Sequence, residues 1–159
     1  MLALVAAACG EAPLADFAYT PPEGWEVREV AAARSDFPVA VGTARDGVAP
    51  TLRMARTRWD GSLLDFVRQA EAQLATDVPG WRLLSNEPFL TDAGQQGQRL
   101  MGELPDGSLT LRVAQHILRA GPTVFVLTAT RAGGEDHETD AAFASAVASF
   151  EVVVPQDAP

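Results

Sequence analysis

The sequence contains no lysine, and all 12 of its basic residues are arginine. Against 21 acidic residues they leave a net charge of −9, and a surface of that sign repels the phosphate backbone of nucleic acids. Nucleic acid is therefore not an expected partner. Because alanine, glycine, proline and arginine are abundant, we attribute the absence of lysine to a GC-rich genome and not to function.

A single cysteine, Cys9, excludes an intramolecular disulfide and a zinc site built from cysteines. Long apolar runs are missing as well. The run before Cys9, residues 2–8, has seven apolar residues, and no later segment approaches the roughly 20 that a membrane-spanning helix needs. Any membrane attachment is therefore expected to use a lipid and not a spanning helix.

The residues that common enzymes require are also scarce. There is no Gly-x-Ser-x-Gly elbow for a nucleophilic serine, no Walker loop and no Gly-x-Gly-x-x-Gly turn. Of the two histidines, His116 is predicted to be an exposed or hydrogen-bonded histidine in mid-strand. His137 lies in the acidic run 135–140, which could gather Ca²⁺ but lacks the spacing of a calcium loop, whereas acidic residues also favour a helix N-terminus. We predict no enzyme, no cofactor and no metal site.

Cys9 follows the apolar run and precedes Gly10 and a Pro-containing acidic stretch. This order is similar to the end of a lipoprotein signal peptide, although Ala6 stands where leucine is usual and the first basic residue is Arg28. We interpret residues 1–9 as a truncated signal peptide whose Cys9 receives diacylglycerol, and residues 10–18 as a tether. The alternative is a frayed apolar terminus with a buried free cysteine.

Hydrophobic periodicity then predicts one α/β domain. Ser62 and Asp65 mark the start of an amphipathic helix, with apolar residues at i, i+3, i+4, i+7 and i+11, which ends at the turn 77–80. Alternation and turn residues predict the strands, followed by a short second helix at 140–149 and an extended end at 151–154. The predicted strands are 25–30, 37–43, 51–58, 81–90, 95–104, 109–118 and 123–130.

The last two predicted long strands have apolar side chains on both faces. In 109–118, Val113 and Ile117 alternate with Ala114 and Leu118, and the strand 123–130 shows the same pattern. A sheet that is apolar on both faces must be covered on both. The two helices are the expected covers.

The order of these elements resembles the PsbP-like superfamily, which includes the Mog and DcrB proteins and many bacterial lipoproteins. The likeness rests on 22–25 (Pro-Glu-Gly-Trp), 61–63 (Gly-Ser-Leu) and 148–150 (Ala-Ser-Phe), and it covers about residues 17–154. The resemblance implies an α+β fold, namely a three-layer α/β/α sandwich around a twisted antiparallel sheet, in a domain at 19–154 with a disordered tail at 155–159. It also implies binding or assembly without enzymatic activity.

The favoured hypothesis is a non-catalytic, lipid-anchored protein of the cell envelope that binds or helps to assemble an envelope protein. Aromatic residues near loops and a local basic cluster are candidate partner contacts. The alternatives are that both tryptophans pack under the helix edge and that the arginines protect a strand edge. The candidate residues are Trp59, Trp81, Arg53, Arg56 and Arg58.

A second hypothesis is a carrier of a small apolar molecule. It predicts a pocket of several hundred Å³ between sheet and helix, lined by residues such as Phe66, Phe125 and Phe143. A domain whose core is filled would argue against it.

Overall fold

The computed structural model describes residues 13–29 and 37–153. The predicted signal peptide with Cys9, the start of the tether and the tail 155–159 lie outside the described residues. Nine strands and two helices are described. They are β1 Asp16–Ala18, β2 Glu26–Arg28, β3 Val39–Val41, β4 Thr51–Arg58, α1 Leu63–Asp77, β5 Arg82–Leu90, β6 Gln96–Asp106, β7 Leu109–Ala120, β8 Thr123–Ala132, α2 His137–Ala148 and β9 Glu151–Val153.

Seven of the strands form one antiparallel sheet in the order β2-β3-β4-β8-β7-β6-β5, and β1 pairs separately with β9. The long strands β5 to β8 are consecutive hairpins, as the turn residues predicted. Gly107 and Gly121 each have a positive φ, 61° and 56°, which glycine adopts without steric cost at a tight turn. The predicted α+β class is confirmed.

Helix α1 begins and ends close to the predicted residues. Ser62 is its N-cap: the Ser62 Oγ accepts a hydrogen bond of 3.1 Å from the Asp65 backbone N–H and donates one of 2.6 Å to the Asp65 carboxylate. The apolar stripe packs on the sheet. Val67 of this helix is buried in one cluster with Leu100, Ile117 and Val124.

Helix α2 packs on a different set of sheet residues. Its Phe143 belongs to a cluster that contains Leu118 and Phe125, the chain neighbours of the residues that contact α1. Because successive side chains of a strand point to opposite faces, the helices contact the sheet through alternate residues of β7 and β8. The two-sided apolar pattern of these strands therefore matches two separate apolar clusters.

The domain starts earlier than the sequence predicted. Residues 16–18, assigned to the tether, form β1, and the ring of Phe17 lies 4.9 Å from Phe37 and 5.8 Å from both Phe125 and Phe150, centroid to centroid. The prediction missed β1 because a three-residue strand is too short to show periodicity.

The start of α2 also differs from the prediction. The helix begins at His137 and not at 140, because Asp136 is the N-cap and its carboxylate accepts from the Thr139 backbone N–H at 3.1 Å. The acidic run is thus the first turn of a helix.

We expect Phe17→Ala to lower the free energy of unfolding by about 2 to 3 kcal/mol, because it removes an aromatic ring that packs on three others. Val27→Ala, in another three-residue strand but at a side chain that is 51% exposed, should cost less than about 0.5 kcal/mol. Chemical denaturation measures both. Equal losses would show that β1 is not part of the folded domain.

Candidate functional site

A cleft of about 1000 Å³ opens between α2 and the loop that leads into β2. The loop turns tightly, since the Trp25 backbone N–H donates to the Pro22 carbonyl at 3.2 Å. The lining combines loop residues, residues near β3 and β4, and one side of α2. These residues are Thr20, Pro21, Pro22, Glu23, Gly24, Trp25, Thr43, Arg45, Pro50, Asp92, Glu138, Thr139, Ala141, Ala142, Ser145 and Ser149.

The ring of Trp25 is held rigidly at this cleft. It meets Phe143 of α2 edge-on, with ring centroids 5.3 Å apart and planes at 74°. On its other side, a Cβ added at Gly42 would lie 2.7 Å from Cε2 of Trp25 and 2.8 Å from Pro50 Cγ, so only glycine allows this approach. The indole is therefore half-buried and immobilised between sheet and helix.

The C-terminal end of α2 is tied to the neighbouring loops. The hydroxyl of Ser149 accepts from the Thr20 backbone N–H at 2.8 Å and donates to the Ala146 carbonyl at 2.7 Å. The Asp92 backbone N–H donates to the Ala148 carbonyl at 2.8 Å. These bonds give partners to backbone carbonyls at the end of the helix, and they hold the loops that form the cleft walls.

The other end of α2 is tied down by an ion pair that crosses the cleft wall. The guanidinium of Arg45 donates to Asp136 at 2.9 Å and also binds Glu138. Burial opposes ionisation of Asp136, but hydrogen bonds from Thr139 and the charges of Arg45 and Arg131 outweigh it and lower the pKa of Asp136. Asp136 is therefore ionised at pH 7 and paired with the Arg45 guanidinium.

A second arginine joins α2 to the sheet. Arg131 of β8, only 3% exposed, binds both carboxylate oxygens of Asp140, at 2.6 Å and 2.8 Å. It also donates to the carbonyls of Ala132 and Gly134. A bidentate pair with these extra partners satisfies the buried guanidinium.

The acidic residues that were considered as calcium ligands thus make other interactions. Asp136 caps α2, Glu138 pairs with Arg45 and Asp140 pairs with Arg131, while His137 is exposed. Over the described ranges, no group of three or more potential ligands is placed to hold a metal ion.

Both candidate tryptophans pack against the fold at opposite ends of α1. Trp59 donates from Nε1 to the Ser62 carbonyl at 2.9 Å, and its ring meets Phe66 edge-on at 5.3 Å. Trp81 lies against Gly102, where an added Cβ would be 2.4 Å from the indole. Both rings are half-buried, and neither lines the cleft. Their exposed parts stay predicted partner contacts.

The three candidate arginines of β4 do not form one patch. Arg53 pairs with Thr128, and by strand alternation it faces the opposite side of the sheet from Arg56 and Arg58. Arg56 is engaged within the domain, donating at 2.8 Å to the Ala15 carbonyl and lying over the Phe37 ring. The spacing of the three arginines along the predicted strand was enough to place Arg53 on the other face.

His116 lies in mid-strand as predicted, but it is buried and not exposed, with 7% of its surface accessible. Its Nδ1 has no hydrogen-bond partner among the described residues. Burial, together with the positive charge of Arg99, lowers the pKa of His116 from 6.5 to about 4. A hydrogen bond with the backbone of Leu127 acts the other way and raises this pKa. The ring is therefore neutral at pH 7.

The three residues named for the carrier hypothesis do not line one common pocket. Phe66 does line a cavity of about 220 Å³ between α1 and the sheet, together with Leu74 and Val126. Phe66 belongs to the α1 cluster, whereas Phe125 and Phe143 are buried in the α2 cluster. An apolar cavity of about 540 Å³ lies elsewhere, at the edge of β5 and β6. It is lined by Leu63, Pro88, Phe89, Leu90, Gln96, Gly97 and Gln98.

The sequence analysis missed the cleft itself. Residues 22–25 were noted only as a structural motif, and the acidic run only as a helix start. The available signal was the Pro-Pro-Glu-Gly turn directly before a tryptophan, since loops with a fixed aromatic residue commonly carry binding sites.

No protein-family model matches the sequence, and no curated protein matches it either. Solved structures do. LpqN of Mycobacterium tuberculosis, involved in cell envelope biogenesis, superposes with a TM-score of 0.66 at 16% identity, over 87% of this chain and 83% of LpqN. The cyanobacterial PsbP (CyanoP) of Synechocystis superposes with a TM-score of 0.58 at 15% identity, over 91% and 97%. This chain has a PsbP-like fold.

A third structure with the PsbP-like fold is PA94 of Pseudomonas aeruginosa, a protein of unknown function, with a TM-score of 0.64 at 14% identity over 84% of this chain and 99% of PA94. None of the three is named as an enzyme. Among the described residues, neither helix is long and apolar enough to cross a membrane.

Asp140→Asn is expected to lower the free energy of unfolding by about 2 kcal/mol, because it weakens the only carboxylate bonded to the buried Arg131 in the described chain. Glu87→Gln is the matched control: its partner Arg99 is 37% exposed, so the loss should stay below about 1 kcal/mol. Denaturant titration at pH 7 tests this, and a smaller loss for Asp140→Asn than for Glu87→Gln would contradict it.

His116 should make the domain less stable as the pH falls from 7 to 4. The unfolded chain binds a proton at the ordinary pKa of 6.5, whereas the folded chain resists it down to about 4. Integrating this difference gives a loss of about 3 kcal/mol. His116→Leu should remove that part of the pH dependence of unfolding. Parallel curves for the two proteins over this range would refute the assignment.

Proposed function

We propose that this chain is a lipid-anchored protein of the cell envelope that binds or helps to assemble a protein partner and catalyses no reaction. The observation that carries the proposal is the open cleft between α2 and the loop before β2, whose walls are fixed by hydrogen bonds and an ion pair. A preformed concave surface of this kind suits recognition. The shared fold with LpqN, a protein involved in cell envelope biogenesis, supports the location.

The polar groups of the cleft favour binding over catalysis. The Ser149 hydroxyl already has two hydrogen-bond partners, and the Arg45 guanidinium is held by two carboxylates. The described lining includes neither histidine nor cysteine, two residues that are common in acid–base and nucleophilic catalysis. The polar groups of Ser149 and Arg45 are held in place by partners within the domain, which suits recognition.

We also propose that the layers form a three-layer α/β/α sandwich. The support is the separation of the two apolar clusters, with Val67 of α1 packed on one set of strand residues and Phe143 of α2 on the alternate set. In that arrangement the cleft lies on the side of the sheet that carries α2.

A lipid at Cys9 would hold the domain close to the membrane. Six residues lie between Cys9 and Asp16, the first residue of β1, and a fully extended chain of this length spans at most about 25 Å. A partner in the membrane, or a second envelope protein at its surface, would then be within reach of the domain.

Transport of a small apolar ligand is a second candidate, favoured by the cavity of about 540 Å³ at the β5–β6 edge. Mass spectrometry of the protein purified under non-denaturing conditions tests it. A stoichiometric lipid lost on Leu90→Asp, which places a charge at an exposed position of this cavity's lining, would support transport over partner binding.

In-cell photo-crosslinking tests the main proposal. We expect a photoreactive phenylalanine analogue at Ala141, an exposed residue of the cleft, to capture one envelope protein, and the same analogue at Asp106, outside the cleft, to capture none. With Cys9→Ala the protein should leave the membrane fraction and the product should disappear. Unchanged fractionation of Cys9→Ala together with no product at Ala141 would overturn both the anchor and the partner.

A further inference from the structure

The cleft carries an excess of negative charge. Three carboxylates line it, those of Glu23, Asp92 and Glu138, against the single guanidinium of Arg45, which leaves two negative charges. Arg45 is moreover committed, since Asp136 and Glu138 both bind it. An incoming ligand therefore meets carboxylates and no free cation along the described lining.

Helix α2 lies along the cleft, and both of its ends contribute to the lining, Glu138 and Thr139 at the start and Ser145 and Ser149 at the end. The partial charges of the two helix ends have opposite signs. The excess negative charge of the cleft therefore comes from its side chains.

The cleft wall already shows how it holds a guanidinium. Arg45 makes a two-carboxylate contact at the start of α2, and the planar fork of arginine suits such acceptors. The ring of Trp25 also lines the cleft, and tryptophan is the aromatic side chain that attracts cations most strongly. A chain of alternating cationic and apolar groups would match carboxylates, tryptophan and the prolines of the loop.

We propose that the cleft binds a basic segment of a partner protein, an extended stretch bearing arginine or lysine. The inference rests on the proposed partner-binding function and names the chemistry of the partner. A small quaternary ammonium ligand fits less well, because such ligands are held by several aromatic rings. Among the described residues that line this cleft, Trp25 is the only aromatic one.

The test uses an acetylated, amidated tetra-arginine peptide as the probe and the full chain as the receptor. Calorimetry should show binding that added salt weakens, and nuclear magnetic resonance should place the largest shifts at Thr43, Ala142 and Ser145. The double variant Glu23→Gln, Asp92→Asn should bind about tenfold more weakly. Asp60→Asn with Asp106→Asn removes the same charge at exposed sites outside the cleft and should bind as the parent chain does.

Equal weakening by both double variants would overturn the proposal, because the peptide would then respond to net charge and not to the cleft. Binding of tetramethylammonium but not of the peptide would overturn it in favour of a small cation. The crosslinking at Ala141 is independent of this probe: a captured envelope protein together with an indifferent peptide would end the present inference and leave the proposed function standing. A bound peptide without any captured protein would overturn the proposed envelope partner, and with it the claim that the basic segment belongs to such a partner, and would leave only the preference of the cleft for basic peptides.

Discussion

Every other part of this structure depends on two adjacent strands, β7 and β8, that are apolar on both faces. Ile117 and Val124 must be kept from water on one side, and Leu118 and Phe125 on the other. Burial of such side chains contributes about 1.5 to 3 kcal/mol each, so neither face can be left open. The chain meets this demand with α1 on one set of residues and with α2, β1 and β9 on the other.

More elements pack on the α2 side of β7 and β8 than on the α1 side, and the cleft forms where two of them meet. Helix α2 is only 12 residues long, so the N-terminal residues complete the layer, with Phe17 beside Phe150 and Trp25 beside Phe143. Where the loop meets the helix, packing gives way to a polar gap. Arg131 fixes α2 to β8 and Arg45 fixes its first turn to the hairpin before β4, so the gap has rigid walls.

Hydrophobic period and turn chemistry predicted the elements that are long enough to show a pattern. The helix from Ser62, the four hairpin strands and the two-sided apolar faces could all be predicted, because each spans several repeats of its period. Strand β1 could not, since three residues carry no period. The burial of His116 depends on register and on neighbouring strands, which local sequence does not contain. Strand alternation did separate Arg53 from Arg56 in the sequence, but the two were grouped because they are close along the chain.

The cleft was missed for a different physical reason. Its lining comes from four separate stretches of chain, around Trp25, Arg45, Asp92 and Glu138, and no spacing within the sequence relates them. The residues that fix its shape, Gly42 under the indole and Asp140 on Arg131, are constrained by contact with the core. Glu23 and Asp92 are exposed and make no contribution to the core. Substitutions at these two positions can therefore change the charge of the cleft while leaving its shape intact.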